Sequence, residues 1–423
     1  MPKLQHVCDS DTMPDLMMTN AASTTAKGAR DLTTQLQDRV ELLPGKLEFA
    51  LLPANLSVES TTEITRTQVD DHGEEFVCMD GDLLYARFFA DFGPLHLSRT
   101  VRFCRELESR LNSNAASDAS PTTRSGKPVV LYCSDHPHKR ANAMTLLAIF
   151  LVLVKDFTPE LAVTRVLNDG KLQPPFGFRD ASCGVCTFFI TLLECARAIH
   201  KAIKTSLWRY DKFSPDEYDH LDRLENGDIN WIVPGKLIAF SGPQQERVVL
   251  DPESGAATLL ARDYAALFRT MGVTCVIRFN EATTYDRKAF IHAGLRHIDM
   301  PFPDGSNPSD DILFKFIRTG AVAVHCKAGL GRTGTAIATF LIKNYRFSAP
   351  EAIAWCRICR PGCIVGPQQH FLAVKEPELH ALPSIFGVQP VTKLSSSAQN
   401  QSKKSVMHNK PPRHQARTRV SSR

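Results

Sequence analysis

Long apolar runs are missing from this sequence of 423 residues. The longest, Ala143–Val154, is broken by Thr145 and stays well short of the ~20 residues a helix needs to span a bilayer. It reads as a buried helix, and no membrane attachment is expected. A secretory signal, with its basic start, apolar core and small-residue cleavage site, is also missing from the N-terminus. The 12 cysteines are scattered, so they are expected as free thiols in a reducing compartment. Paired histidines are missing beside Cys183-x-x-Cys186, Cys356-x-x-Cys359 and Cys363. Those spacings are expected on helices, where buried cysteine is ordinary, so neither a metal nor a cofactor is predicted. Acids are missing between Ala381 and Arg423, a stretch holding eight Lys and Arg residues. The formal net charge of +5 therefore belongs to that tail. The rest is mildly acidic, and nucleic-acid binding by the fold is not expected. No internal sequence repeat is legible.

What is present suits two domains with tails, because the chain is too long for one ordinary core and its apolar fraction of 43% is that of a globular protein. Residues 1–43 show no sustained period and are expected to be disordered. In residues 44–206 Leu47–Val58 and Phe88–Phe92 bracket a first globular region, and Pro128–Cys133 is a short apolar strand followed by helices. Leu97–Leu111 has apolar residues at helical spacing, Asn142–Val154 is a helix, another starts at Thr158-Pro159-Glu160, and Cys183–Ile203 is a further one. Asn112–Lys127 reads as a surface loop. Residues 207–230 form a linker whose Ser214-Pro215-Asp216-Glu217 starts a short acidic helix, Pro215–Leu224. In residues 231–380 strands (Leu237–Phe240, Thr274–Arg278, Gly294–Met300, Ala321–His325) alternate with helices (Asp263–Met271, Asp310–Arg318, Arg332–Tyr345, Pro350–Ile358). The fold class is α/β, twice over. Residues 381–423, rich in Ser, Gln, Lys and Arg, are expected to be a disordered basic tail.

One segment carries chemistry. The strand Ala321–His325 delivers Cys326 to the loop Lys327-Ala328-Gly329-Leu330-Gly331, and Arg332-Thr333 then opens a helix. Gly329 and Gly331 allow the backbone to curl with its N–H groups inward, and the helix N-terminus adds its positive end, making an anion cradle. The same field favours the thiolate of Cys326, the nucleophilic form. Arg332 supplies a planar fork for two phosphate oxygens. The set points to attack of Cys326 on phosphorus and a phosphocysteine later hydrolysed by water. His325 is expected to orient the loop, and Thr333 to donate to the sulfur as it leaves. Asp304, in Pro301-Phe302-Pro303-Asp304-Gly305-Ser306 and 22 residues before the cysteine, is the candidate acid for the leaving oxygen. Gln368 and Gln369, expected in a loop before another helix, are candidates to position water.

These residues, with Phe89-Ala90-Asp91-Phe92-Gly93-Pro94, Phe178-Arg179-Asp180-Ala181, Glu225-Asn226-Gly227-Asp228-Ile229-Asn230-Trp231 and Arg357-Ile358-Cys359-Arg360-Pro361-Gly362, resemble the cell-division-cycle-fourteen family of dual-specificity phosphatases. The resemblance covers roughly Leu47 to Phe371 and implies two tandem domains of related phosphatase fold. The first would lack a catalytic loop and shape the substrate groove; Cys133 also follows a strand, but Lys139 stands where an arginine is required, so Cys133 is expected to be inert. The second would be catalytic. The family reverses cyclin-dependent phosphorylation and favours phosphoserine-proline sites with a basic residue nearby. Asp219 and Asp222, three apart on the linker helix, match its acidic groove positions. Phosphoproteins made by proline-directed kinases are the implied partners. The implied address is nucleus, nucleolus or cytoplasm, with spindle, centrosome or basal body as further sites. Oligomeric state is not readable.

Three other readings are available. A phosphoinositide phosphatase usually carries a second loop lysine where this sequence has Leu330. A non-catalytic phosphoprotein scaffold normally loses the cysteine or the arginine, and both are present. An RNA 5′-triphosphatase would have to tolerate the acidic linker, which repels RNA.

Overall fold

The computed structural model describes residues 32, 34–53, 67–70, 74–116, 128–318 and 322–385. The expectations for residues 1–31, for 117–127 of the expected loop Asn112–Lys127 and for the tail beyond 385 lie outside the described residues; residues 112–116 of that expected loop instead continue the helix Leu97–Ala116.

The first half is built on a five-stranded sheet of β1 (Gln37–Leu43), β2 (Leu47–Leu52), β3 (Thr67–Val69), β4 (Glu75–Cys78) and β5 (Val129–Ser134), in the order β1-β2-β5-β4-β3. β2, β5 and β4 run parallel, while β1 and β3 are antiparallel edges. The ordered chain therefore starts before the expected boundary at residue 44. β1 buries only Val40 and Leu42, a period of two too short to stand out among its polar neighbours. Helices α1 (Leu97–Ala116), α2 (Pro137–Lys155), α3 (Pro159–Val166) and α4 (Leu192–Lys204) cover the sheet. α2 is buried from Ala141 to Val152, which explains the apolar run. Thr158 caps α3, accepting from the N–H of Leu161 at 3.2 Å, with Pro159 at its first turn.

α4 corrects the expected helix Cys183–Ile203. It starts only after Thr191, whose reciprocal capping with Glu194 fixes the boundary. Cys183 and Cys186 lie on the preceding loop, the first exposed and the second half-buried.

The linker helix α5 (Pro215–Asp222) is capped by Ser214 and carries acids in its first turn. The second half follows: β6 (Ile229–Val233), β7 (Leu237–Phe240), the small hairpin β8 (Val249–Asp251) and β9 (Ala256–Ala257), α6 (Ala261–Thr270), β10 (Cys275–Arg278), α7 (Lys288–His292), β11 (Arg296–Asp299), α8 (Asp310–Ile317), β12 (Val322–His325), α9 (Gly331–Tyr345), α10 (Ala349–Cys359) and α11 (Pro367–Ala381). Its main sheet has the order β11-β10-β12-β7-β6, with β12 parallel to both neighbours. Each sheet thus opens with an antiparallel hairpin whose second strand lies parallel to the central, last-formed strand. The duplication is one of topology, without a sequence repeat.

The halves share one hydrophobic core. Trp208 before α5 packs on Trp355 of α10 with ring centroids 5.9 Å apart. The Tyr218 hydroxyl donates to the Cys359 carbonyl at 2.8 Å, and Lys201 of α4 donates to the Arg346 carbonyl at 2.9 Å. The Asp180 carboxylate accepts the N–H of Gly366 at 2.6 Å. Among the described residues no helix is long and apolar enough to cross a membrane.

Candidate active site

The site lies at the C-terminal end of the central strand β12, the crevice position of an open parallel sheet. Val322, Ala323, Val324 and His325 are all buried there, and Cys326, only 3% exposed, follows directly.

The cradle can be derived from where its carbonyls go. In a trans peptide the carbonyl of one residue and the N–H of the next point in opposite directions. The Cys326 carbonyl lies 2.9 Å from Nδ1 of His325, which therefore donates to it. The Lys327 carbonyl accepts the N–H of Gly242 at 3.0 Å. Nη2 of Arg360 donates to the Ala328 carbonyl at 3.1 Å, and its Nε to the Gly329 carbonyl at 2.9 Å. Four successive carbonyls are pulled outward, so the N–H groups of Lys327, Ala328, Gly329 and Leu330 face the other way, into the loop. Two glycines make this possible. Gly329 has φ of +68°, and a Cβ there would meet the Phe240 carbonyl oxygen at 2.1 Å. A Cβ on Gly242 would meet the Cys326 carbonyl oxygen at 2.5 Å.

His325 is fully buried, and burial pushes its imidazole down to about 3. With Nδ1 donating, its Nε2 accepts from the Tyr285 hydroxyl at 2.7 Å. The Tyr285 oxygen then accepts from Nε2 of His297, also at 2.7 Å. Burial lowers the pKa of His297 too.

Arg332 opens α9. Its Nη1 donates to the carbonyls of Phe302 at 2.9 Å and Phe279 at 3.3 Å, which fixes the fork. Its Nε faces Asp304 Oδ1 at 3.3 Å, an ion-pair distance without hydrogen-bond alignment. Asp304 is 69% exposed, on the loop after β11. Among the described residues, Arg332 Nε and the Thr333 hydroxyl are buried without a hydrogen-bond partner. Both are donors directly following the cradle in the chain, of the chemistry suited to an anion's oxygens and to a departing thiolate.

The glutamines part company, and neither is in a loop. Both lie in the first turn of α11. Gln368 is buried, with its Oε1 accepting the N–H of Val365 at 3.1 Å and its Nε2 donating to the Ser306 carbonyl at 3.2 Å. A Cβ on Gly331 would come within 2.9 Å of that Oε1, so Gln368 lies over the loop. Gln369 instead accepts from Arg357 at 2.7 Å, a structural contact.

The linker carboxylates are taken up separately. Asp219 accepts from Arg102 at 2.8 Å, a cation it shares with Asp216, and Asp222 accepts from Asn230 at 3.0 Å. Cys133 is wholly buried, and burial raises its thiol well above the ordinary value. Asp80 accepts the N–H of Ser134 at 2.9 Å and pairs with Lys139 at 2.8 Å. The first-half loop therefore holds a resident carboxylate of its own.

Sequence reading missed Gly242, Tyr285 and His297, which sit on other elements far along the chain. It quoted Arg360 only as part of a resemblance. Among the described residues no group of three or more His, Cys, Asp or Glu is placed to hold a metal ion.

A cysteine at the end of a central strand, an inward amide loop and an arginine at the following helix start define the cysteine-dependent phosphatase class. Residues 41–202 match the family model described as the N-terminal half of dual specificity protein phosphatases. Residues 253–346 match one described as a polymorphic toxin system DSP-PTPase phosphatase. The chain is 44% identical over 316 residues to human dual specificity protein phosphatase CDC14A, covering 74% of this chain and 51% of that protein. It is 42% identical over 375 residues to zebrafish (Danio rerio) CDC14AB, covering 88% and 57%, and 42% identical over 309 residues to human CDC14C, covering 72% and 66%. The chain belongs to the CDC14 family of dual-specificity phosphatases. It spans about half the length of human CDC14A and somewhat more of the other two.

Proposed function

We propose that this chain hydrolyses phosphoserine, phosphothreonine and phosphotyrosine in proteins, favours phosphoserine followed by proline with a basic residue nearby, and reverses phosphorylation by proline-directed, cyclin-dependent kinases. The observation that carries the chemical part is the cradle: the outward carbonyls of Cys326, Lys327, Ala328 and Gly329 turn four N–H groups inward, and Arg332 Nε and the Thr333 hydroxyl, next along the chain, are buried without a hydrogen-bond partner.

In the first half-reaction the Cys326 sulfur forms a bond to phosphorus as the ester P–O bond breaks. Asp304 gives its proton to the departing oxygen, and the inward amides and Arg332 take the charge on the equatorial oxygens. In the second, water attacks phosphorus and gives a proton to Asp304 while the S–P bond breaks. Thr333 donates to the leaving thiolate, and Gln368 orients the water. The products are an alcohol or phenol and orthophosphate, and the enzyme is regenerated.

The family relationship supports protein substrates, as does Leu330 in place of a second loop lysine. Asp219 and Asp222, on the linker helix, support a basic-residue preference. Purified protein should be given a phosphoserine-proline peptide with lysine three residues on, a phosphothreonine peptide without proline, and a soluble inositol phosphate, beside Cys326→Ser. Selective hydrolysis of the first peptide, abolished by Cys326→Ser, is expected. Preference for the inositol phosphate overturns the protein-substrate part; no hydrolysis with retained peptide binding overturns the catalytic part.

A further inference from the structure

We infer that Arg360 is a positioning residue that sets the phosphate loop in its anion-binding shape, and that it carries the linker into the site. The inference rests on reading the loop as a phosphate site.

Arg360 is fully buried just after α10. Its Nη1 donates to the Asp228 carbonyl and Oδ1, both at 2.9 Å, and to Oδ1 of Asn230 at 2.5 Å. Its Nη2 donates to Asp228 Oδ2 at 2.8 Å. Two donors remain for the loop, Nε to Gly329 and Nη2, shared, to Ala328. Burying a guanidinium against one carboxylate would serve neutrality alone. This fork does more, because it holds the two loop carbonyls whose outward direction turns the N–H groups of Gly329 and Leu330 inward. The other two outward carbonyls are held by His325 and Gly242, so among the described residues Arg360 is the side chain that holds the distal half of the cradle.

Its acceptors come from the linker end. Asp228 and Asn230 stand at the start of β6, and Asn230 Nδ2 donates to the carboxylate of Asp222, the last residue of α5, at 3.0 Å. One rigid fork thus joins the linker helix to the backbone that meets the phosphate. Lysine could pair with Asp228 but could not span Asp228 and both loop carbonyls, since it lacks the planar array of five donors.

The test uses the full chain. Arg360→Lys and Asn230→Ala are compared with wild type by tungstate binding in calorimetry, which needs no turnover, by kcat and KM on p-nitrophenyl phosphate, and by thermal unfolding. The expected result is tungstate affinity at least tenfold weaker in Arg360→Lys and a few-fold weaker in Asn230→Ala. Each loss should exceed what the folded fraction at the assay temperature explains. Wild-type tungstate affinity in a folded Arg360→Lys overturns the inference. If that variant does not fold, wild-type affinity in Asn230→Ala overturns it. A wild type that binds tungstate but cleaves no phosphoester overturns the proposed function and leaves the role of Arg360 measurable. A wild type that does not bind tungstate overturns both.

Discussion

Asp304 Oδ1 lies 3.3 Å from Nε of Arg332, so the exposed candidate acid and the buried phosphate fork already face each other across the mouth of the cradle. A proton donor is needed there only when the leaving oxygen is basic. Asp304→Asn should lower kcat roughly 10²–10³-fold on phosphoserine peptides. On p-nitrophenyl phosphate, whose phenolate leaves without a proton, the loss should be much smaller. Steady-state kinetics on the two substrates checks this, and equal losses would count against the assignment.

Gly242 packs directly against the backbone behind the nucleophile: a Cβ there meets the Cys326 carbonyl oxygen at 2.5 Å and His325 Nδ1 at 2.9 Å. Both contacts belong to the set that turns the first loop amides inward. Gly242→Ala should cost about 1–3 kcal/mol of stability through overpacking. It should also lower kcat/KM by more than tenfold at temperatures where the protein stays folded. Thermal melts read beside kinetics separate the two, and wild-type kcat/KM would contradict the close approach.

His325 sets a pH window. Its buried imidazole holds a proton only below about 3, against an ordinary value of 6.5. The unfolded chain therefore binds this proton first as pH falls. The stability is fully present above about 6.5 and is lost progressively as pH falls towards 3. At pH 5 the loss from this one residue is about 2 kcal/mol. His297 acts in the same direction, also through burial. Urea unfolding at pH 7.5 and pH 5 should show a larger fall for wild type than for His325→Asn. Equal falls would mean that His325 is not held neutral by the fold.

If Asp219 lines the proposed substrate groove, Arg102 competes with the substrate's basic residue for it. It pairs with Asp219 at 2.8 Å and Asp216 at 2.6 Å, on an exposed surface where such pairs contribute little to stability. Arg102→Ala should raise the kcat/KM ratio of lysine-bearing over lysine-free phosphopeptides a few-fold, and Asp219→Asn should lower it. Both shifts should shrink at high salt. Unchanged ratios in both variants would remove Asp219 from substrate selection.

The parts legible in the sequence are those coded within one segment. The strand to Cys326, the glycines and Arg332 fall in a single run of adjacent residues, so their spacing carries the chemistry. Apolar period and capping residues located most helices of the second half to within a residue or two, as for α9 and α10. What escaped depends on contacts between distant segments. Gly242 matters because β7 lies beside β12, and Tyr285 because its loop folds back onto His325. Gln369 and Gln368 are adjacent, and only the Arg357 side chain reveals that one is structural. β1 and the start of α4 were misplaced for a local reason. Two buried residues make too short a period, and the boundary of α4 depends on the Thr191–Glu194 pair, which lies inside the expected helix.

The central claim is a covalent phosphate on one thiol. Wild-type protein mixed with a radiophosphorylated phosphoserine-proline peptide should be quenched in acid within milliseconds, digested, and its labelled peptide mapped. Label is expected on the peptide containing Cys326, absent from Cys326→Ser and longer-lived in Thr333→Ala. Hydrolysis by wild type with no label on that peptide under any quench time, or hydrolysis by Cys326→Ser at the wild-type rate, would contradict it.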